Sequence, residues 1–169
     1  MYFRQWDAAN LTKKKADSII QMKFPASEAG TTNGSCLNMK NDELAKLKRI
    51  FEKFREVKLV YFFGSQADGT AGPMSDYDFA VYVETAQKNK ALDIRLRLMD
   101  QISRLLEIDK VDVVLLNETE SPEMKYLIIS TGRLIFEREP YKVLVEPKIL
   151  HEYFDFREML LRYKLTSAG

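Results

Sequence analysis

A glycine–serine pair, Gly64-Ser65, closes the apolar run Lys58-Leu-Val-Tyr-Phe-Phe63, and Asp76-Tyr77-Asp78 follows after ten intervening residues. Glycine lets backbone amides approach a ligand with no Cβ in the way. A helix starting there would aim free N–H groups and the positive end of its dipole at an anion. The Ser65 hydroxyl adds a donor, so the pair suits a phosphate; it equally suits a plain turn. In a strand, residues two apart share a face, so Asp76 and Asp78 would stand side by side with Tyr77 opposite. Two adjacent carboxylates repel unless a cation joins them. Magnesium takes oxygen ligands, often one or two carboxylates plus substrate phosphates. The competing reading is a capped loop. Asp112 interrupts the apolar run Val111-Asp-Val-Val-Leu-Leu116. An unpaired buried carboxylate is costly, so Asp112 either meets solvent at a strand end or joins the other two acids. Three carboxylates around two cations would fit nucleotidyl transfer, where paired metals clamp the attacking and leaving oxygens.

These residues need elements to hold them. Leu44, Leu47, Phe51 and Phe54 recur at helical spacing, with Asn41 or Asp42 as the cap. Residues 58–63, 78–83, 111–116 and 133–136 read as strands. Leu92, Leu96, Met99, Ile102 and Leu106 mark a long helix between the second and third strands. Ser121-Pro122 starts another, since proline suits the first helical turn, and Gly132 stops it as a C′ glycine. Pro147 is read as opening a last helix with Leu150, Tyr153, Phe156 and Leu160 on one face. Strands alternating with helices predict an α/β (α+β) domain, a small mixed sheet flanked by helices. Residues 1–38 are read as a flexible N-terminal extension. Within them, residues 10–22 are read as a short basic helix and residues 25–35 as a polar, turn-forming stretch. Residues 39–169 form the domain.

In this setting the sequence resembles a known family. Gly64-Ser65, ten residues and Asp76-x-Asp78 match the Gly-Ser-x10-Asp-x-Asp signature of the DNA polymerase β-like nucleotidyltransferases, and the size is similar to their minimal (MNT) branch. The Asp112 strand looks like the family's third carboxylate, and Gly132-Arg-Leu-Ile-Phe-Glu137 is similar to its closing segment. The resemblance spans about residues 41 to 140. It implies that Gly64 and Ser65 hold the β and γ phosphates of ATP, that Asp76 and Asp78 bind magnesium, and that Asp112 binds one of two Mg2+ ions and activates an acceptor hydroxyl. It further implies AMP transfer to a protein partner, a HEPN-domain ribonuclease toxin for which such a chain is the antitoxin. Transfer to a small hydroxylated molecule such as an aminoglycoside, or a non-catalytic antitoxin acting by contact, are the alternatives. Two positions depart from the pattern. Gln66 and Asp68 stand where the family often carries arginine, and an acid near a triphosphate weakens binding unless it faces away or holds a cation.

Composition excludes several other classes. With 26 basic and 25 acidic residues, the net charge of +1 argues against a broadly basic nucleic-acid coat. One cysteine, Cys36, makes no intrachain disulfide, and one histidine, His151, leaves no Cys/His zinc cluster. With no apolar run of membrane length and no secretory leader, the chain reads as cytoplasmic. No direct nucleic-acid substrate is expected. Lys13-Lys14-Lys15 reads as a solvated helix face and Tyr2, Phe3 and Trp6 as part of a loose terminus. Tyr153, Phe154, Phe156 and Tyr163 exceed one core face, and serve either the core or a surface for a partner or a second copy.

Overall fold

The computed structural model describes residues 39, 41–69, 75–163 and 165. The basic helix expected over 10–22 and the polar stretch over 25–35 lie outside the described residues. Helix α1 (Asn41–Glu52) starts with Asn41 as its first residue and carries Asp42 and Glu43 in its first turn, so the two residues expected to cap it lie inside it. Strand β1 (Val57–Phe63) runs into the single-turn helix α2 (Ser65–Asp68). Then come β2 (Tyr77–Val83), α3 (Lys88–Leu106), β3 (Val111–Leu115), α4 (Pro122–Thr131), β4 (Arg133–Glu137) and α5 (Tyr141–Arg162).

The strands form one sheet in the order β3-β2-β1-β4. Strand β1 is antiparallel to both β2 and β4, and β2 is parallel to β3. A parallel pair cannot be joined by a tight turn, and the 19 residues of α3 make the crossover. Period-two alternation then builds a core on each face. On one, Val60, Phe62, Phe79, Val81 and Val113 pack with Leu47 and Phe51 of α1 and Ile94, Leu98 and Ile102 of α3. On the other, Leu59, Tyr61, Phe63 and Ala80 pack with Ile128 of α4 and Val145 and Ile149 of α5. Strand β1 is covered on both sides, which is why it reads as a continuous apolar run rather than an alternating one. The buried Tyr61 hydroxyl donates to Oε1 of Glu146 at 2.7 Å. Burial first, and the Glu146 carboxylate second, push its pKa well above the ordinary tyrosine value.

Three helix details differ from the sequence expectation. Helix α3 buries Ala91, Ile94, Leu98 and Ile102, whereas Leu92 and Leu96 are half exposed. An apolar-rich helix offers more than one stripe, and the one containing small Ala91 is turned to the sheet. The last helix starts at Tyr141, with Pro147 inside it. Val145 and Ile149, on either side of the proline, anchor that turn to the sheet, and their burial holds a helix that proline alone would start or break. Gly132 does end α4, but with an extended φ of −72°. Glycine is required there because a Cβ would strike the Ile128 carbonyl and come within 3.3 Å of Phe63 Cβ. The start of α4 is as expected: Ser121 Oγ accepts from the Met124 N–H at 3.2 Å. Among the described residues no helix is long and apolar enough to cross a membrane.

Candidate active site

Phe63 pairs with Asp78 in the β1–β2 register, so the turn that leaves β1 lies against the start of β2. Gly64 makes that turn with φ 80° and ψ −168°, a conformation essentially confined to glycine. A Cβ at Gly64 would fall on Oδ2 of Asp78. The glycine thus lets the Asp78 carboxylate lie directly against the backbone. Ser65 follows at the first position of α2, half-buried, and the Ala67 N–H closes the turn onto the Gly64 carbonyl at 2.9 Å.

In the parallel register of β2 and β3, Asp78 is the direct partner of Asp112. Ala80 and Val114, two residues further along each strand, pack in the core beneath α4 and α5. Alternation therefore places both acids on that face, on strands about 4.8 Å apart. Both are half-buried, which the strand-end position allows and a mid-strand position would not.

Asp76 is placed differently. It precedes β2, is exposed, and its Oδ1 lies 3.9 Å from Lys110 Nζ. Among the described residues no three of His, Cys, Asp and Glu are gathered closely enough to hold a metal ion. The fold thus brings Gly64, Ser65, Asp78 and Asp112 together and leaves Asp76 at the mouth, turned toward a lysine. In kind, the donors suit a hard divalent cation, being carboxylate oxygens: two on adjacent strands and a third, not gathered with them, one residue outside the sheet.

Two further side chains belong to this region. Arg95 of α3 reaches Asp112, Nη2 to Oδ1 at 3.4 Å. Nothing in the sequence marks it, because it stands among Arg97 and Arg104 on a helix whose other arginines pair with their own i−4 aspartates. Gln66 is buried and donates from Nε2 to the Ser75 carbonyl at 3.3 Å, tying α2 to the approach to Asp76. An arginine there would place a charge in a buried position, so the neutral residue matches its surroundings. His151 is exposed and lies on α5.

Comparison with known proteins bears on the fold. No curated protein sequence matches the chain. Solved structures do. A toxin–antitoxin crystal structure with AMP-PNP contains a chain 24% identical, with TM-score 0.58, over 74% of this chain and 95% of that one. A complex of tri-AMPylated Shewanella oneidensis HEPN toxin with MNT antitoxin gives 20% identity and TM-score 0.57, over 74% of this chain and 95% of that one. An MntA–HepT toxin–antitoxin structure gives 19% and 0.56, over 73% and 95%. At these identities the likeness is one of fold. The model of the family described as polymerase beta, nucleotidyltransferase matches residues 45–141, more than half of the chain, from within α1 through β4. A match of that length shows the family: the chain belongs to the polymerase beta nucleotidyltransferase family.

Proposed function

We propose that this nucleotidyltransferase is magnesium-dependent and moves AMP from ATP onto a hydroxyl of a protein partner, a HEPN-domain toxin, in a cytoplasmic toxin–antitoxin pair. The observation that carries the chemistry is the direct register of Asp78 with Asp112, beside a glycine turn that a side chain would fill. The partner assignment is supported by the neighbours, which include a toxin–antitoxin complex with AMP-PNP and another with an AMPylated HEPN toxin.

In this reading Asp76, Asp78 and Asp112 would hold two Mg2+ ions, Asp76 exchanging its contact with Lys110 for one with the cations. When bound, these supply charge neutralisation at the triphosphate and polarise the reacting oxygens. The protein's own work is positioning. The Gly64-Ser65 turn binds the β and γ phosphates through backbone N–H groups and the Ser65 hydroxyl. Asp112 accepts the proton of the acceptor hydroxyl. The acceptor oxygen then bonds to the α-phosphorus, the bond to the β-phosphate bridging oxygen breaks, and pyrophosphate leaves.

One observation favours a second reading, neutralisation by contact alone: Asp112 is already paired with Arg95, and the three acids are not gathered. Mass spectrometry of a HEPN partner incubated with ATP, magnesium and this protein separates the two. Wild type should add AMP to the partner. Asp78→Asn keeps the side chain's volume but removes a charge, and should slow transfer by more than about 100-fold. Ser65→Ala should cost about tenfold or less, since backbone amides remain. A partner left unmodified by wild type but still neutralised would replace the enzyme with the contact antitoxin.

A further inference from the structure

Arg95 is an unusual partner for Asp112. It comes from α3, whose buried residues Ala91, Ile94 and Leu98 pack on the opposite face of the sheet from Asp112. Strand β3 is the sheet's edge, so the guanidinium passes round that edge to meet the carboxylate. The contact is a single long one, 3.4 Å from Nη2 to Oδ1. Strong arginine–carboxylate hydrogen bonds are short, about 2.7–2.9 Å, and frequently bidentate. Moreover, Arg95 Nε is buried and finds no hydrogen-bond partner among the described residues. A buried donor left unsatisfied opposes folding. The arrangement therefore costs something in the fold, and what it does is place one positive charge on one of the acids proposed to hold the cations.

We propose that Arg95 is a positioning residue that stands in for cation charge at Asp112 and must give way when a divalent cation arrives, so that it sets the cation affinity of the site. This deepens the reading of the site given above and rests on it. Asp78 and Asp112 face each other across adjacent strands and repel when both are ionised. Arg95 relieves that repulsion in the cation-free protein. It also opposes cation binding twice, by like charge and by occupying an Asp112 oxygen. The long, one-pronged contact is weak enough to be displaced. Lys110 stands in the same relation to Asp76, but at 3.9 Å and with both side chains half exposed, where solvent screens the effect.

The test is titration of the full-length protein with Mn2+ alone, free ion counted by electron paramagnetic resonance. Arg95→Met and Arg95→Gln should each tighten Mn2+ binding by about tenfold. Arg95→Lys should stay near wild type because it keeps the charge. Lys110→Met should change affinity by about twofold or less. Asp112→Asn should weaken binding, and in that background Arg95→Gln should have no further effect. Two charge-removing variants guard against one that misfolds, and circular dichroism checks each. If both leave affinity unchanged or weaken it while Asp112→Asn weakens it, the charge stand-in is wrong and the site reading survives. Equal tightening by Arg95→Gln with and without Asp112 also overturns it, since the effect would not pass through that carboxylate. If neither Asp78→Asn nor Asp112→Asn alters Mn2+ binding, the site reading falls and this inference with it.

Discussion

A side chain at position 64 would collide with the Asp78 carboxylate and would also have to adopt φ 80°, ψ −168°. Both problems have the same origin: β1 and β2 are antiparallel neighbours, and the chain leaving β1 must turn across the first residues of β2. Gly64→Ala is therefore expected to lower stability by about 1–3 kcal/mol from backbone strain alone. It should also displace Asp78 and weaken Mn2+ binding more than Ser65→Ala does, because the serine lies beyond the collision. Urea unfolding and the Mn2+ titration measure the two effects separately. At the same scale, Asp78 and Asp112 differ from the other acids of the chain by placement. They stand on strand ends on one face, whereas Asp93 and Asp100 are held along α3 by Arg97 and Arg104.

Helix α5 illustrates how an element can contradict its own local preferences. Pro147 is the seventh residue of a 22-residue helix and cannot donate to the Val143 carbonyl. Val143 is 69% exposed, so water can satisfy that carbonyl. The helix continues because Val145 and Ile149 are buried against the sheet and Tyr61 donates to Glu146 between them. Further along, Tyr153 stacks on Tyr126 of α4 at 4.0 Å, and Lys125 pairs with Glu152 at 2.6 Å. Pro147 itself is exposed and makes none of these contacts. Pro147→Ala should therefore raise stability by about 1–3 kcal/mol through the restored hydrogen bond and relieved ring clash. Chemical denaturation would show this as a higher midpoint with an unchanged slope. The aromatic surplus on this helix divides: Tyr153 and Phe156 are partly buried, while Phe154 and Tyr163 are exposed.

For the molecule as a whole, the sheet carries two cores, one beneath α1 and α3 and one beneath α4 and α5. The proposed site lies where the glycine turn after β1, the start of β2 and the start of β3 meet. Met39 already belongs to the first core, at 7% exposure. We propose on that ground that residues 1–38 are an extension the fold does not need. A chain beginning at Met39 should unfold cooperatively, with a midpoint within about 3 °C of the full chain by calorimetry. A larger drop would mean that the extension contributes contacts of its own.

The amino-acid sequence by itself determined the elements, the family and the candidate residues for the chemistry. Apolar runs, helical spacing and the Ser121-Pro122 and Gly132 signals located the strands and long helices of the described residues, because period and burial go together when a face must be covered, although the last helix starts at Tyr141 and not at Pro147. Gly64-Ser65, Asp76, Asp78 and Asp112 were legible because glycine and carboxylates are conspicuous beside apolar strands. What tertiary structure alone decided concerns partners from distant elements. Register made Asp78 the neighbour of Asp112 and left Asp76 outside the sheet beside Lys110. Packing chose the Ala91–Ile94–Leu98 stripe of α3 over Leu92 and Leu96. It carried the helix through Pro147 on the burial of Val145 and Ile149. The same packing brought Arg95 round the edge of β3 to Asp112, 17 residues along the chain. Local pattern cannot contain that contact, since it depends on how a 19-residue crossover helix is rotated against the sheet.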